Sequence, residues 1–186
     1  MRPAKSSQKR HYPKCQVIFL FILIETLTLG SVLGVSINVN DIFSPTLKSA
    51  DLNVKACNEE YPENVSCIRL ASNSTDNSTL IWRYPDTNKG DMQGRNLTGI
   101  RSVSFSVRGK NGNEKVDFAI GRQQGKFMDS TSKSLGLLES PIKSNSWTVY
   151  TINLEGEDLS NIRAGFVCTL TDNDTIYLSD IKYETY

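Results

Sequence analysis

Histidine is nearly missing from this chain. His11 is the only one in 186 residues, and it precedes the long apolar run near the N-terminus. Everything after that run therefore lacks Ser-His and Cys-His nucleophilic pairs and any His-ligated metal. There is no Gly-rich phosphate loop, and nothing singles out a carboxylate pair for glycoside hydrolysis among the 19 acids that follow the run, so the chain is read as non-enzymatic. Excess charge is lacking too: the formal net charge is +1. Arg2, Lys5, Lys9, Arg10 and Lys14 lie before the apolar run, leaving 16 basic residues against those 19 acids, a net of −3 for the remainder. A mildly acidic region without a basic patch is a poor binder of nucleic acid.

The apolar run from Gln16 to Ile37 is 22 residues long, against roughly 20 needed to cross a bilayer as a helix. Residues 1–15 then form a basic cytoplasmic tail, because positive charge stays inside, and the rest of the chain is exported. Glu25 near the middle of the run costs on the order of 3 kcal/mol on insertion scales. A cleaved signal peptide is the alternative, with an apolar stretch from Val17 to Ile24 and small residues Gly30, Ser31, Gly34 and Ser36 behind it. The first reading places the domain outside the cell on the plasma membrane through its N-terminal helix, and the second secretes it. On an exported chain Asn64, Asn73, Asn77, Asn96 and Asn173, each opening an Asn-x-Ser/Thr triplet, are glycosylation acceptors. Cys57 and Cys67, separated by a ten-residue step, are expected to form a disulfide worth about 2 to 3 kcal/mol. Cys168, in an apolar strand, reads as a buried thiol.

Residues 38–55 are polar, broken by Pro45 and without sustained periodicity, so they read as a stalk, with the domain at 56–186. Beyond Cys57 apolar alternation with period two dominates and no amphipathic helix is evident. Val103, Phe105 and Val107 alternate with serines, Val116, Phe118 and Ile120 repeat the pattern, and the Gly/Asn-rich link between them suggests a hairpin. Leu80, Trp82 and Tyr84 share a parity. So do Tyr150, Ile152 and Leu154, while Trp147 ahead of them is expected to pack between sheets. Phe166 to Leu170 and Ile176 to Tyr183 supply two more strands, and Asp172–Asp174 between them read as a turn. Short strands separated by turn signals mean an all-β antiparallel sandwich.

Several segments, in order, resemble jelly-roll carbohydrate-binding modules of the galactose-binding-like superfamily: Cys57 and Cys67 with Ile68-Arg69-Leu70, Trp82-Arg83-Tyr84-Pro85, Asn96-Leu97-Thr98-Gly99 and Val103–Gly109. Gly112–Gly121 continues the pattern, and Trp147 to Glu184 completes it, so the likeness spans roughly residues 56 to 184. The resemblance implies a jelly-roll β-sandwich and a glycan or cell-surface component as partner, bound without covalent chemistry. Aromatic stacking would come from Trp82, Tyr84 and Phe127, with Arg83 and Asp117 as polar partners. It also implies one structural calcium, held by Asp180 with backbone carbonyls, although Ser179 stands where such modules often carry a first acid. A structural or adhesion domain of the cell surface with no sugar site is the alternative function.

Overall fold

The computed structural model describes residues 34–47, 49–57, 66–137 and 142–185. The expected membrane or signal helix lies almost wholly outside them. Among the described residues no helix is long and apolar enough to cross a membrane.

Among the described residues the alternation in the sequence becomes eleven strands and one 3-10 turn. The strands are β1 (Ser36–Asn38), β2 (Ser44–Leu47), β3 (Leu52–Cys57), β4 (Cys67–Ser72), β5 (Ser78–Arg83), β6 (Ser102–Gly109), β7 (Val116–Gly121), β8 (Ser132–Leu137), β9 (Thr148–Asn153), β10 (Ala164–Leu170) and β11 (Thr175–Glu184). The turn, Val39–Asp41, is capped by the Asn38 side chain, which accepts a hydrogen bond from the Asn40 backbone N–H. Two antiparallel sheets face each other. Sheet A runs β3-β4-β11-β6-β9, with β1 also on β11, and sheet B runs β2-β5-β10-β7-β8. The result is a jelly-roll-like β-sandwich.

The core lies between the sheets and is built on aromatic contacts. Phe105 from sheet A meets Phe118 at 4.5 Å and Phe166 at 4.9 Å between ring centroids, and Trp82 meets Phe166 edge-on at 5.4 Å. Such pairs contribute about 0.5 to 1.5 kcal/mol beyond area burial. Hydrogen bonds also tie the sheets together directly: the Tyr183 hydroxyl on β11 donates to the Gly165 carbonyl on β10 at 2.7 Å, and the Ser72 and Ser78 hydroxyls on β4 and β5 share one at 2.9 Å. Gly165 has to be glycine, since a Cβ there would stand 2.4 Å from the Phe43 ring.

Three expectations change. Residues 38–55 are not a stalk: β2 and β3 are edge strands of the two sheets, and Val39, Phe43 and Leu52 are buried at 0, 1 and 3 % exposure. The apolar residues there are too sparse to show a period, yet each anchors singly in the core, and Pro45 is tolerated because an edge strand can lack a donor. The sandwich thus begins before residue 56, and Ser36 and Ile37 pair with Glu184 and Tyr183. Next, β6 and β7 are not a hairpin, because β6 belongs to sheet A and β7 to sheet B. Glu114 shapes the link between them, its carboxylate accepting the Asn111 and Gly112 backbone N–H groups, while Gly112 and Asn113 take positive φ values of 85° and 68°. That folds the chain across the edge of the core instead of back along one sheet. Finally, Trp147 does not pack between the sheets. Thr148 pairs with Val107, whose side chain faces the core, so Trp147 and the exposed Val149 point outward from sheet A.

The disulfide forms between Cys57 and Cys67, which pair directly across β3 and β4. Cys168 is a free buried thiol. Asp172, at the expected turn, has a positive φ of 64°.

Candidate functional site

Strand parity decides what each face of sheet B can offer. Leu80 and Trp82 on β5, Phe166 and Cys168 on β10, and Phe118 and Ile120 on β7 point into the core. Their neighbours Thr79, Ile81, Val167, Thr169, Asp117 and Ala119 must point out. Cross-strand register sets them in rows, Ile81 beside Val167 beside Ala119, and Thr79 beside Thr169 beside Asp117. Ile81, Ala119, Ala164 and Val167 form a small apolar cluster of their own, each no more than 4 % exposed although on the outward side.

Over this floor lies a depression of about 320 Å³, walled by Asn77 and Thr79 at one side, Val167 and Thr169 beneath, and Gly121, Arg122 and Gln123 at the other. Arg122 folds back along the face to reach Asp117, Nη1 to Oδ2 at 2.7 Å, and Ser134 donates to Asp117 Oδ1 at 2.6 Å. Both carboxylate oxygens are thereby engaged. Thr79 and Thr169 share a hydrogen bond between their hydroxyls at 3.2 Å. Gly121 and Arg122 both have left-handed φ values, 80° and 77°. A non-glycine residue in that region is uncommon, and it is what turns the Arg122 side chain back over the sheet.

A buried pair supports that wall from behind. Arg163 and Asp129 have side-chain exposures of 0 and 1 %, with Nε 3.9 Å from Oδ1. Asp129 Oδ2 accepts the Gln123 N–H at 2.7 Å, and Arg163 Nη2 donates to the Gln123 and Gln124 carbonyls at 3.0 and 3.3 Å. The loop after β7 is held from both sides of Gln123, so Arg122 and Gln123 have fixed positions. Neither Arg163 nor Asp129 was indicated by the sequence. The signal that could have found them is an acid three residues before a strand and an arginine immediately before another, set between Ile162 and Ala164.

Of the five residues expected to contact ligand, only Asp117 and Arg83 face outward on sheet B. Arg83 pairs with Ala164 in the register, and its Nε is enclosed without a hydrogen-bond partner among the described residues. Trp82 is 1 % exposed, in the core, and its indole N–H donates to Asn40 Oδ1 at 2.8 Å. Tyr84 packs against the core, and the Arg95 guanidinium lies 3.6 Å from its ring centroid. Phe127 is half-buried beside Lys126, outside the depression. The reason is the shared parity of Trp82 and Tyr84, which sends both rings inward and leaves Arg83 alone outside.

Asp180 is the bulged residue of β11. Ser179 pairs with Ser106 and Lys182 with Ser104, so two residues oppose one, and Asp180 takes φ 56°. The bulge resets parity, moving the core positions from Ile176 and Leu178 to Ile181 and Tyr183. Its carboxylate is held by Lys182 Nζ at 2.7 Å. The adjoining recess of about 110 Å³ offers Asn38, Asn40 and Ser179 besides. Calcium takes six to eight oxygens and favours several carboxylates. A single carboxylate already paired with an ammonium does not fit it, and among the described residues no three His, Cys, Asp or Glu side chains converge.

A larger depression, about 490 Å³, opens between residues 98–101 and 154–159. Its acids are committed: Glu155 pairs with Arg101, and Thr131 and Lys133 hold Glu157 below the usual carboxylate range through hydrogen bonds. Hydrogen bonds from Ser160 likewise lower Asp158. Turn residues form much of its wall, whereas the sheet B depression has a regular floor and a buried support. Burial pushes the Cys168 thiol well above its ordinary range, and the charge of Asp117 across the strand adds to this, so Cys168 stays a neutral packing group.

Comparison with known proteins finds no matching family model and no matching curated protein. Solved structures share the fold. A family 11 carbohydrate-binding module from Clostridium thermocellum, in complex with a β-1,3-1,4-mixed-linked tetrasaccharide, superposes with a TM-score of 0.54 at 10 % identity, covering 81 % of this chain and 94 % of that one. The Caldicellulosiruptor saccharolyticus module CBM27-1, in complex with mannohexaose, gives 0.55 at 18 % identity, over 84 % and 99 %. A family 30 module of a Clostridium thermocellum cellulosomal cellulase gives 0.53 at 15 % identity, over 82 % and 97 %. The chain has the carbohydrate-binding-module fold.

Proposed function

We propose that the domain is a non-catalytic carbohydrate-binding module that takes a glycan on the outer face of sheet B, displayed outside the cell on a membrane tether or, if the N-terminal segment is cleaved, secreted. One observation carries this reading: in a fold like that of sugar-bound modules, the outer face of sheet B holds a depression with an apolar floor and hydroxyl, amide and ion-paired walls. Hydroxyl-rich ligands need such a mixture, since C–H faces rest on apolar atoms while hydroxyls exchange hydrogen bonds with fixed partners. The ion pair selects within the class. Arg122 and Asp117 neutralise each other locally, so the site suits a neutral sugar better than a sulfated or uronic one.

The test is binding of the full chain to a panel of neutral polysaccharides, mixed-linkage glucans and mannans included, alongside anionic glycans. Arg122→Ala is expected to weaken binding by about tenfold, the worth of one good polar contact. Unchanged binding by this variant, or preference for anionic glycans, removes the site. A structural or adhesion role is the second reading, favoured by the lack of an aromatic ring lining the depression among the described residues. Failure to bind any glycan selects it.

A further inference from the structure

We infer that the sheet B depression is occupied by the chain's own glycan, carried on Asn77, which competes with external ligand; the inference rests on the glycan-binding reading of that face. Asn73, Asn77, Asn96 and Asn173 are all exposed, and Asn64 lies outside the described residues. Asn77 alone of the exposed four is also a wall of the depression. Its Oδ1 accepts a hydrogen bond from the Thr171 hydroxyl at 3.1 Å. That contact fixes the orientation of the amide whose nitrogen becomes the attachment point. The third residue of the same triplet, Thr79, shares the floor with its partner Thr169, so the first sugars would stand directly above two hydroxyls and the apolar floor.

The chemistry is ordinary transfer from a lipid-pyrophosphate-linked oligosaccharide in the export pathway. Asn77 Nδ2 forms the bond to the anomeric carbon, the bond from that carbon to the pyrophosphate oxygen breaks, and the amide loses a proton. A tethered sugar over its own site has a high effective concentration, on the order of mM for a short link, and so outcompetes free ligand of modest affinity. Asn96 provides the internal control. It lies in the loop before β6, where its side chain accepts the Thr98 N–H, and it does not line the depression.

The full chain would be made in a glycosylating eukaryotic host, as wild type, Asn77→Gln and Asn96→Gln. Three measurements decide: site occupancy by mass spectrometry, the rate at which an endoglycosidase releases each glycan under native conditions, and binding to neutral polysaccharide. The Asn77 glycan is expected to be present and released at least about tenfold more slowly than that at Asn96, and Asn77→Gln to bind polysaccharide at least about tenfold more tightly than wild type or Asn96→Gln. An unmodified Asn77, or equal release at the two sites, overturns the inference. So does equal polysaccharide binding by wild type and Asn77→Gln, which leaves the binding reading standing. Slow release at Asn77 with no polysaccharide binding by any form upholds the occupied depression and sinks the external-ligand reading. Should Asn77→Gln fold poorly, the wild-type chain made in a host that does not glycosylate gives the same comparison, with Asn96→Gln from the glycosylating host as the control.

Discussion

The outer faces of the two sheets obey the same alternation and differ in what they leave for a ligand. Sheet A is rich in rings and cations. Lys55, Arg69, Tyr177 and Arg108 stand in one cross-strand row, and the Arg108 guanidinium lies 4.6 Å from the Tyr177 ring centroid and 5.6 Å from that of Trp147. Among the described residues sheet B has no ring on its outer floor, where Ile81, Ala119 and Val167 lie beside the Arg122–Asp117 pair. Aromatic content is therefore a poor guide here. A sugar stacks on an uncovered ring face, and on sheet A, as at Tyr84 under Arg95, the protein's own guanidinium covers the ring. The face with fewer aromatic residues is the one with open polar walls.

The hardest blow to that contrast is Arg163→Met, which removes the support of the sheet B wall. Breaking a buried ion pair costs about 3 to 5 kcal/mol. We expect the lower end, because the Asp129 carboxylate keeps the backbone N–H groups of Gln123, Arg163 and Ala164. Denaturant melts check the stability, and polysaccharide binding should fall with it even where the variant remains folded; retained binding would show that the wall does not depend on this pair.

Tyr183→Phe cuts a buried hydrogen bond between the sheets and leaves the Gly165 carbonyl without that partner, at a cost of about 1 to 3 kcal/mol. It also has a pH signature. Burial, with the charge of Asp129 adding, raises the Tyr183 pKa well above its ordinary 10.0. The unfolded chain therefore loses this proton first, and the stabilisation is complete below pH 10.0 and is lost as pH rises through the folded-state value. Wild-type stability should fall above pH 10.0 more steeply than that of Tyr183→Phe; parallel curves would remove Tyr183 as the cause.

A paired substitution sharpens the comparison itself. Arg122→Ala should weaken glycan binding about tenfold, and Arg108→Ala on the opposite face should leave it within about twofold; the reverse result would move the site to sheet A. The smallest effect concerns Asp180. Since Lys182 holds its carboxylate, calcium or a chelator should leave the melting temperature unchanged, whereas any cation bound only by the folded state would raise it. A clear upward shift with calcium would show that the cation displaces Lys182.

Much of the fold was legible because in-or-out alternation is a local property. Val103, Phe105 and Val107 announce a strand wherever it lies, and Cys57 and Cys67 pair as their spacing suggests. The first sheet-forming residues do not show in the sequence because Val39, Phe43 and Leu52 stand alone, each backed by strands that come later in the chain. The site was less legible. Asp117 and Arg83 are legible as outward-facing neighbours of core residues, whereas the rings of Trp82 and Tyr84, which stacking chemistry would favour, share a parity that turns both inward.

By itself the sequence determined which residues alternate and where the chain turns, because strand geometry puts successive side chains on opposite sides regardless of the partner strand. It could not determine which sheet each strand joins. That choice sends β6 and β7 to different sheets, lets the Asp180 bulge reset the parity of β11, and brings Arg163 behind Gln123 across 40 residues of chain. Nor could it show which rings are covered, since Arg108 and Tyr177 meet only through the pairing of β6 with β11. Burial, charge pairing and ring access are properties of neighbours in space, and only the packed sandwich supplies those neighbours.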